Sequence, residues 1–349
     1  MRIVVTGASG NVGTAVVRAL AADGRVDAIA GVVRREPEWQ VPKLRWVTAD
    51  VGKDDPDALD SVMAGADAVI HLAWLFHPAR APEVTWRTNV LGSVRVFEAA
   101  ARNSVPALVY SSSVGAYSPG PKDHGVDESW PTHSWPTGAY TREKAYVERV
   151  LDAFEARHPR TRVVRMRPAF LVRRESASEQ RRLFAGPLLP NRAVGLVPVV
   201  PDMPGLRVQV MHTDDAAEAF RLAVMEDVRG AFNLAADPVV DAGVLAEVLG
   251  ARVVRTPVWP VRAAVVAAWR LRLAPAAPEL FDAVLRMPLM DCTRARTELG
   301  WTPRHDSVSA LKEFVAGLKE GAGMPTPPLA SKLPGGRLHE LWTGAGSRH

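Results

Sequence analysis

Short apolar runs rich in β-branched residues recur along the first half of the chain, at residues 3–5, 28–33, 45–48, 68–72, 107–110 and 162–166. Stretches of helical length separate them, with apolar residues spaced three and four apart. Runs that are apolar throughout belong to strands covered on both faces, and strands alternating with helices build parallel βαβ units. The pattern predicts a doubly wound (Rossmann) α/β sheet over residues 1–170. Beyond Pro168 the regularity weakens. Residues 185–206 carry several prolines and glycines, a strand-like 208–211 leads into a helix from Asp214, and 233–235 reads as one more sheet strand. Residues 208–236 therefore return to the sheet. Segments 171–207 and 237–320 are left for a smaller, interleaved substrate lobe over the carboxyl edge, where open α/β sheets bind ligands. Residues 321–349, rich in Gly, Pro and Ser, read as a loose tail. The longest apolar stretch, 258–273, is interrupted by Pro260, Arg262, Arg270 and Arg272, well short of the ~20 residues that span a membrane. It reads as a buried or amphipathic helix.

Composition narrows the class. At 349 residues and 47% hydrophobic the chain buries a large core, which excludes a disordered protein. Its one cysteine, Cys292, supports neither a disulfide scaffold nor a metal cluster. The first residues run directly into a strand, with no signal-peptide pattern, so a cytoplasmic location is expected. The net charge of +5 comes from arginines interleaved with acids rather than from a basic run. No nucleic-acid partner is expected on that ground.

Two patterns carry chemistry. Residues 6–13 read Thr-Gly-Ala-Ser-Gly-Asn-Val-Gly between the first strand and the first helix. Gly7, Gly10 and Gly13 let the backbone turn tightly and approach a pyrophosphate, while Ser9, Asn11 and Val12 place free N–H groups at the helix N-terminus. At the end of the second strand, where an acid would accept hydrogen bonds from the ribose of NAD, stand Arg34 and Arg35. Arginine there pairs with a 2′-phosphate, so NADP(H) is favoured. NAD(H) is the alternative, with both arginines solvated and Glu36 or Glu38 near the ribose. Asp50 and Val51, just after the third strand, are placed to meet the adenine. The second pattern is Tyr140 and Lys144, four apart in a helical segment and so on one face. A phenol with a reference pKa of ~10 becomes an acid/base at neutral pH when a nearby ammonium stabilises the phenolate. Ser111, Ser112 and Ser113 end the fifth strand at the carboxyl edge, where a hydroxyl can bond a carbonyl or alcohol.

In this order the motifs resemble the extended short-chain dehydrogenase/reductase family, including its NAD-dependent epimerase/dehydratase branch, over about residues 1–320. The resemblance rests on the glycine loop, Asp50-Val51, His71-Leu72-Ala73, Asn89 with Gly92, the serine run, Tyr140 with Lys144, Arg167-Pro168, His212 with Asp214-Asp215, and Leu299-Gly300-Trp301 with Pro303. It implies Tyr140 as acid/base and Lys144 as the group that holds the nicotinamide ribose and depresses the phenol. Ser113 would bind the reacting oxygen, and Leu72, Ala73, Asn89, Ser111, Arg167 and Pro168 would line the cofactor. Asn89 can equally serve as a buried helix-to-strand hydrogen bond, and His71 reads as a packed strand histidine. Tyr117 faces either substrate or core. Trp74, Phe76 and His77 are candidates for an apolar pocket wall. Relatives of this type pair through two long helices, here about 83–103 and 138–158, so a homodimer is expected.

Three reactions compete. The first is hydride transfer between NAD(P) and a carbonyl or secondary alcohol of a small-molecule substrate. The second is nucleotide-sugar epimerization with retained NAD, and the third is a non-catalytic dinucleotide-binding regulator. An intact Ser113, Tyr140 and Lys144 disfavours the regulator. Val114 and Gly115 stand where sugar dehydratases of this type carry Asp-Glu, which disfavours dehydration. Residues 169–174, Ala-Phe-Leu-Val-Arg-Arg, lack the asparagine and Gly-Pro turn of the epimerases. Arg173, Arg174, Arg181 and Arg182 remain candidates for a phosphate, against a solvated-charge alternative. Val258, Trp259, Val261 and Trp269 tilt the later lobe toward an apolar substrate or toward simple packing.

Overall fold

The computed structural model describes residues 1–78, 80–186 and 197–332. Seven strands form one parallel sheet: β1 (Arg2–Thr6), β2 (Ala28–Val33), β3 (Leu44–Thr48), β4 (Ala68–His71), β5 (Ala107–Ser111), β6 (Arg162–Pro168) and β7 (Gly230–Leu234). Their order across the sheet is β7-β6-β5-β4-β1-β2-β3. The order reverses between β1 and β4, which opens a crevice at the carboxyl ends of those strands. The central strands β1, β4 and β5 are buried and mostly apolar because helices cover both faces. One face packs Val5, Ile29, Val109 and Met166 against Val16 and Leu20 of α1 (Asn11–Ala22). The other packs Val4, Val69 and Leu108 with Met63 of α2 (Pro56–Met63), Phe97 of α3 (Gly92–Arg102) and Leu151 of α4 (Ala139–Arg157). The helical run that enters α3 starts at Pro82 and carries a π-turn over Arg87–Leu91, which holds Asn89.

α5 (Thr213–Met225) returns the chain to the first face, and β7 completes the edge. Beyond the sheet, the strand Phe170–Val172 pairs with Val210–His212, and Val199–Asp202 with Arg252–Arg255. The 258–273 stretch takes the amphipathic alternative, and the buried one fails: α6 (Val258–Arg270) contains no buried residue, and Trp259 is 74% exposed. Val258, Val261, Val265, Val266 and Trp269 are half-buried, while Arg262, Ala263, Ala264, Ala267 and Arg270 are exposed. The tail is also not loose from residue 321. Met324, Thr326 and Leu329 are buried, and Thr326 Oγ1 donates to the Ser9 carbonyl at 2.9 Å. Apolar side chains among the prolines give this segment enough surface to bury. Residues 333–349 lie outside the described residues.

Candidate active site

A cavity of about 880 Å³ opens at the switch point between β1 and β4. Its inner end is the glycine loop. Gly7 has φ +68°, and a Cβ there would stand 2.7 Å from the backbone N of Ala73, while one at Gly13 would stand 2.2 Å from the Gly7 carbonyl. The loop therefore closes on the end of β4 and on α1 with no room for side chains. Gly10, which precedes α1, supplies no side-chain cap, so first-turn N–H groups stay available to an anion. Gly7, Ser9, Gly10, Asn11, Val12 and Gly13 all line the cavity. So do Arg34 and Arg35 past β2, Asp50 and Val51 past β3, and Leu72 and Ala73 past β4. Thr6 fixes that last junction by accepting at Oγ1 from the backbone N of Leu72 and Ala73, at 3.2 and 3.3 Å. The cradle and its basic rim fit a dinucleotide.

Farther out, Ser111, Ser113, Tyr140, Lys144 and Pro168 line the same cavity. A Cβ added to Gly115 would come 3.0 Å from Tyr140 and 3.4 Å from Ser113 Oγ, so this glycine lets phenol and hydroxyl approach each other. Ser113 Oγ accepts from the Gly115 N–H at 3.0 Å. Lys144 Nζ donates to the Ser111 carbonyl at 2.7 Å and sits 3.5 Å from the centre of the Trp74 ring. Phe76 stacks on Tyr140 at 4.9 Å and 13°. Burial pushes the Tyr140 phenol up to about 12, opposed by its hydrogen bond with Ser113. Burial also pulls Lys144 down to about 7, against the attraction of Glu148 and Glu143. Lys144 is not among the groups that lower the Tyr140 phenol here. The ammonium faces a carbonyl and an indole, and both groups are desolvated.

Two residues expected at the cofactor lie behind the wall. Arg167 is buried and bonds Glu148 at 2.9 Å and the Tyr117 hydroxyl at 2.9 Å. Arg165 joins the same carboxylate at 3.1 Å. Asn89 accepts from Leu75 N at 2.7 Å and donates to Leu75 O at 2.8 Å and Glu143 at 2.6 Å. Neither lines the cavity. Asn89 acts instead on the loop that carries Trp74 and Phe76. Tyr117 is a core residue bonded to Asn233 at 2.6 Å. His71 is likewise packed, between Thr6 at 2.7 Å and Ser93 at 2.9 Å, and burial pulls it down to about 3.

The outer end is mostly aromatic and aliphatic, with Phe76, Phe170, Leu183, Phe184, Leu280 and Met287 in the wall beside His77, Gln180 and Arg182. None of the apolar residues of α6 reaches it. Glu179, which no motif marked, also lines this end, and burial raises its carboxyl to about 7, opposed by Arg182 and Arg173. The tail adds Pro327, Pro328 and Ala330. Sequence reasoning missed these positions because they come from irregular segments. Of the four candidate phosphate arginines, Arg182 lines the cavity, and all four are engaged with the protein itself. Arg173 donates to Thr14 at 2.5 Å, Arg174 pairs with Glu320, and Arg181 donates to Gly186 O at 2.8 Å. Arg182 holds Ala330 O and Pro328 O, each at 2.7 Å. Among the described residues no group of His, Cys, Asp and Glu is arranged to hold a metal, and no helix is long and apolar enough to cross a membrane.

Sheet order, glycine loop and the Ser, Tyr and Lys positions define a Rossmann-type protein of the extended short-chain dehydrogenase/reductase class. Within it, the chain belongs to the NAD dependent epimerase/dehydratase family, whose sequence profile matches residues 3–235. An uncharacterized protein of Mycobacterium tuberculosis is 27% identical over 93% of this chain, which spans only 31% of that relative's length. An L-arabinose 1-dehydrogenase (NAD(P)(+)) of Haloferax volcanii is 40% identical over 32% of this chain and 41% of its own. A dTDP-glucose 4,6-dehydratase of Streptomyces antibioticus is 32% identical over 45% of this chain and 50% of its own. Among solved structures, UDP-glucose 4-epimerase from Thermotoga maritima with UDP-glucose superposes at a TM-score of 0.69, 18% identity, covering 92% of this chain and 99% of that one. A short-chain dehydrogenase/reductase superfamily protein from Agrobacterium tumefaciens with bound NAD gives 0.69 at 21% identity, covering 92% and 98%. At these identities the structures establish the fold.

Proposed function

We propose that this protein is an NAD(P)-dependent oxidoreductase that interconverts a carbonyl and a secondary alcohol on an apolar small molecule, with NADP(H) preferred. The observation that carries the reading is the outer end of the cavity, where aromatic rings surround Tyr140 and the nearby arginines are engaged with the protein itself. A sugar diphosphate needs cationic and hydrogen-bonding groups at that end. Glu179 on the same wall adds a carboxyl and no cation.

The dinucleotide, when bound, supplies or accepts the hydride. Its pyrophosphate fits the glycine loop, and Arg34 and Arg35 are positioned at the cavity rim for a 2′-phosphate. Ser113 Oγ donates to the substrate oxygen and orients the reacting carbon. Tyr140 Oη gives its proton to that oxygen in reduction and takes it back in oxidation. Lys144 is four residues along the same helix face, and a turn of its Nζ away from Ser111 O toward the ribose side brings positive charge to the phenol. That movement supplies the depression of the phenol that proton transfer near neutral pH requires.

Epimerization is the second reading, favoured by the family and by the epimerases that share the fold. Dehydration is disfavoured, since Val114 and Gly115 occupy the positions of the expected carboxylates. The test is to extract any dinucleotide from purified protein, identify it by mass, and titrate the stripped protein with NADPH and NADH. Exchangeable binding with NADPH preferred, lost on replacing Arg34 and Arg35 by Ala, supports the reductase. Near-stoichiometric retained NAD puts the epimerase first, and equal loss of both cofactors in the Arg variants removes the 2′-phosphate assignment.

A further inference from the structure

α6 and its flanks combine two properties that a folded surface rarely leaves open together. Trp259 and Leu271 are 74% and 68% exposed, and Leu273, Val253 and Val254 are each more than two-fifths exposed. From residue 248 to residue 278 the chain has five arginines, at 252, 255, 262, 270 and 272, and no aspartate or glutamate. Arg262 pairs with Asp282 at 2.8 Å, and the other four have no carboxylate partner among the described residues. Arg80 joins them, its guanidinium 3.7 Å over the Trp269 ring. Trp259, Ala263, Ala264 and Ala267 form the exposed face of α6 together with Arg262 and Arg270. The valines of α6 are half-buried against the molecule.

We propose that this face docks peripherally on an anionic membrane surface. An exposed tryptophan and leucines bordered by arginines match an interfacial helix, in which the apolar side chains enter the headgroup boundary and the guanidiniums meet lipid phosphates. The charge selects this occupant over a second copy of the chain. A two-fold interface would set the basic face against itself, and like charges in contact oppose association. The face also adjoins the outer end of the cavity. Gly186 lies against the Leu273 carbonyl and Pro275, and a small recess lined by Phe76, Phe184, Pro275 and Leu280 joins the cavity end to the segment that follows Leu273. Docking would bring that end of the cavity to the bilayer. The proposal goes beyond the oxidoreductase reading and does not depend on it.

The test is co-sedimentation of the full chain with vesicles of phosphatidylcholine alone and of phosphatidylcholine with phosphatidylglycerol, at low and high salt. Binding to the anionic vesicles is expected to exceed binding to neutral ones at least tenfold and to fall with salt. The double variants Trp259→Ser with Leu271→Ser and Arg270→Glu with Arg272→Glu are each expected to lower it at least fivefold. Thermal unfolding and dinucleotide titration should stay unchanged in both, which keeps misfolding apart from lost docking. Equal or absent sedimentation on the two vesicle types overturns the proposal, as does binding that the Trp259→Ser, Leu271→Ser variant leaves intact. A dimer in light scattering that this variant converts to monomer also overturns it, and identifies the face as a protein interface. No readout requires turnover, so failure leaves the proposed reaction standing.

Discussion

Tyr140 carries the transferable proton in the proposed reaction, and its phenyl ring is held by Phe76 independently of the hydroxyl. Tyr140→Phe is therefore expected to keep dinucleotide affinity while turnover falls about 10²–10⁴-fold, the usual contribution of a positioned acid/base. Steady-state rates alongside a cofactor titration check this, and undiminished turnover would falsify the role. Lys144 makes a separate prediction about stability. Burial lowers it to about 7 from an ordinary value of 10.5, so between those values the unfolded chain holds a proton that the folded chain has released. Stability of the cofactor-free protein should rise with pH across that window, by an amount on the order of 2 kcal/mol between pH 7 and 9. Lys144→Met removes this contribution, so comparing denaturation midpoints of the two proteins at both pH values isolates it. A slope identical in both proteins would show that the lysine is not desolvated as described.

Elements are joined to the site by contacts that tolerate little change. Gly13 lets α1 begin directly under the glycine loop, and a methyl there meets the Gly7 carbonyl at 2.2 Å. Gly13→Ala is expected to cost about 1–3 kcal/mol in overpacking and to weaken dinucleotide binding at least tenfold. Calorimetric titration measures the second effect and thermal unfolding the first. Glu148 of α4 ties that helix to β6 through Arg165 and Arg167 and also accepts from Ser112 at 2.6 Å. Burial opposes its ionisation, yet the two guanidiniums hold the carboxyl down at about 2. Glu148→Gln leaves both cations buried without their counter-charge. A loss of about 3–5 kcal/mol is expected in a denaturant titration. A change below about 1 kcal/mol would mean that the cluster relaxes into water.

At the scale of the whole molecule, the segment after Gly321 crosses the glycine loop and walls part of the cavity. A chain ending at Gly321 loses the burial of Met324 and Leu329, the Thr326 bond to Ser9, and three cavity residues. Both a lower melting temperature and a weaker dinucleotide Kd are expected. Unchanged affinity would show that the segment serves packing alone. The arrangement of the sheet was legible beforehand because most strands are apolar runs and most are followed by a helix, and the site positions on strand ends were legible for the same reason. The roof was not. Residues 170–184, 280–287 and 322–330 have no single period, and their meeting over one crevice is decided by contacts far apart in sequence.

The sequence by itself determined the parallel Rossmann sheet, the glycine loop, and Tyr140 with Lys144 one helical turn apart. Each follows from spacing within a single element, which local geometry fixes. Only the tertiary structure decided that Arg167 and Asn89 serve the scaffold behind the wall, since a side chain's direction depends on which charge or carbonyl faces it across the core. It also decided that Glu179 and the tail reach the cavity, that Lys144 rests on Trp74, and that α6 leaves Trp259 exposed among its arginines. Burial and pairing across long separations set those outcomes, and no period in the chain encodes them.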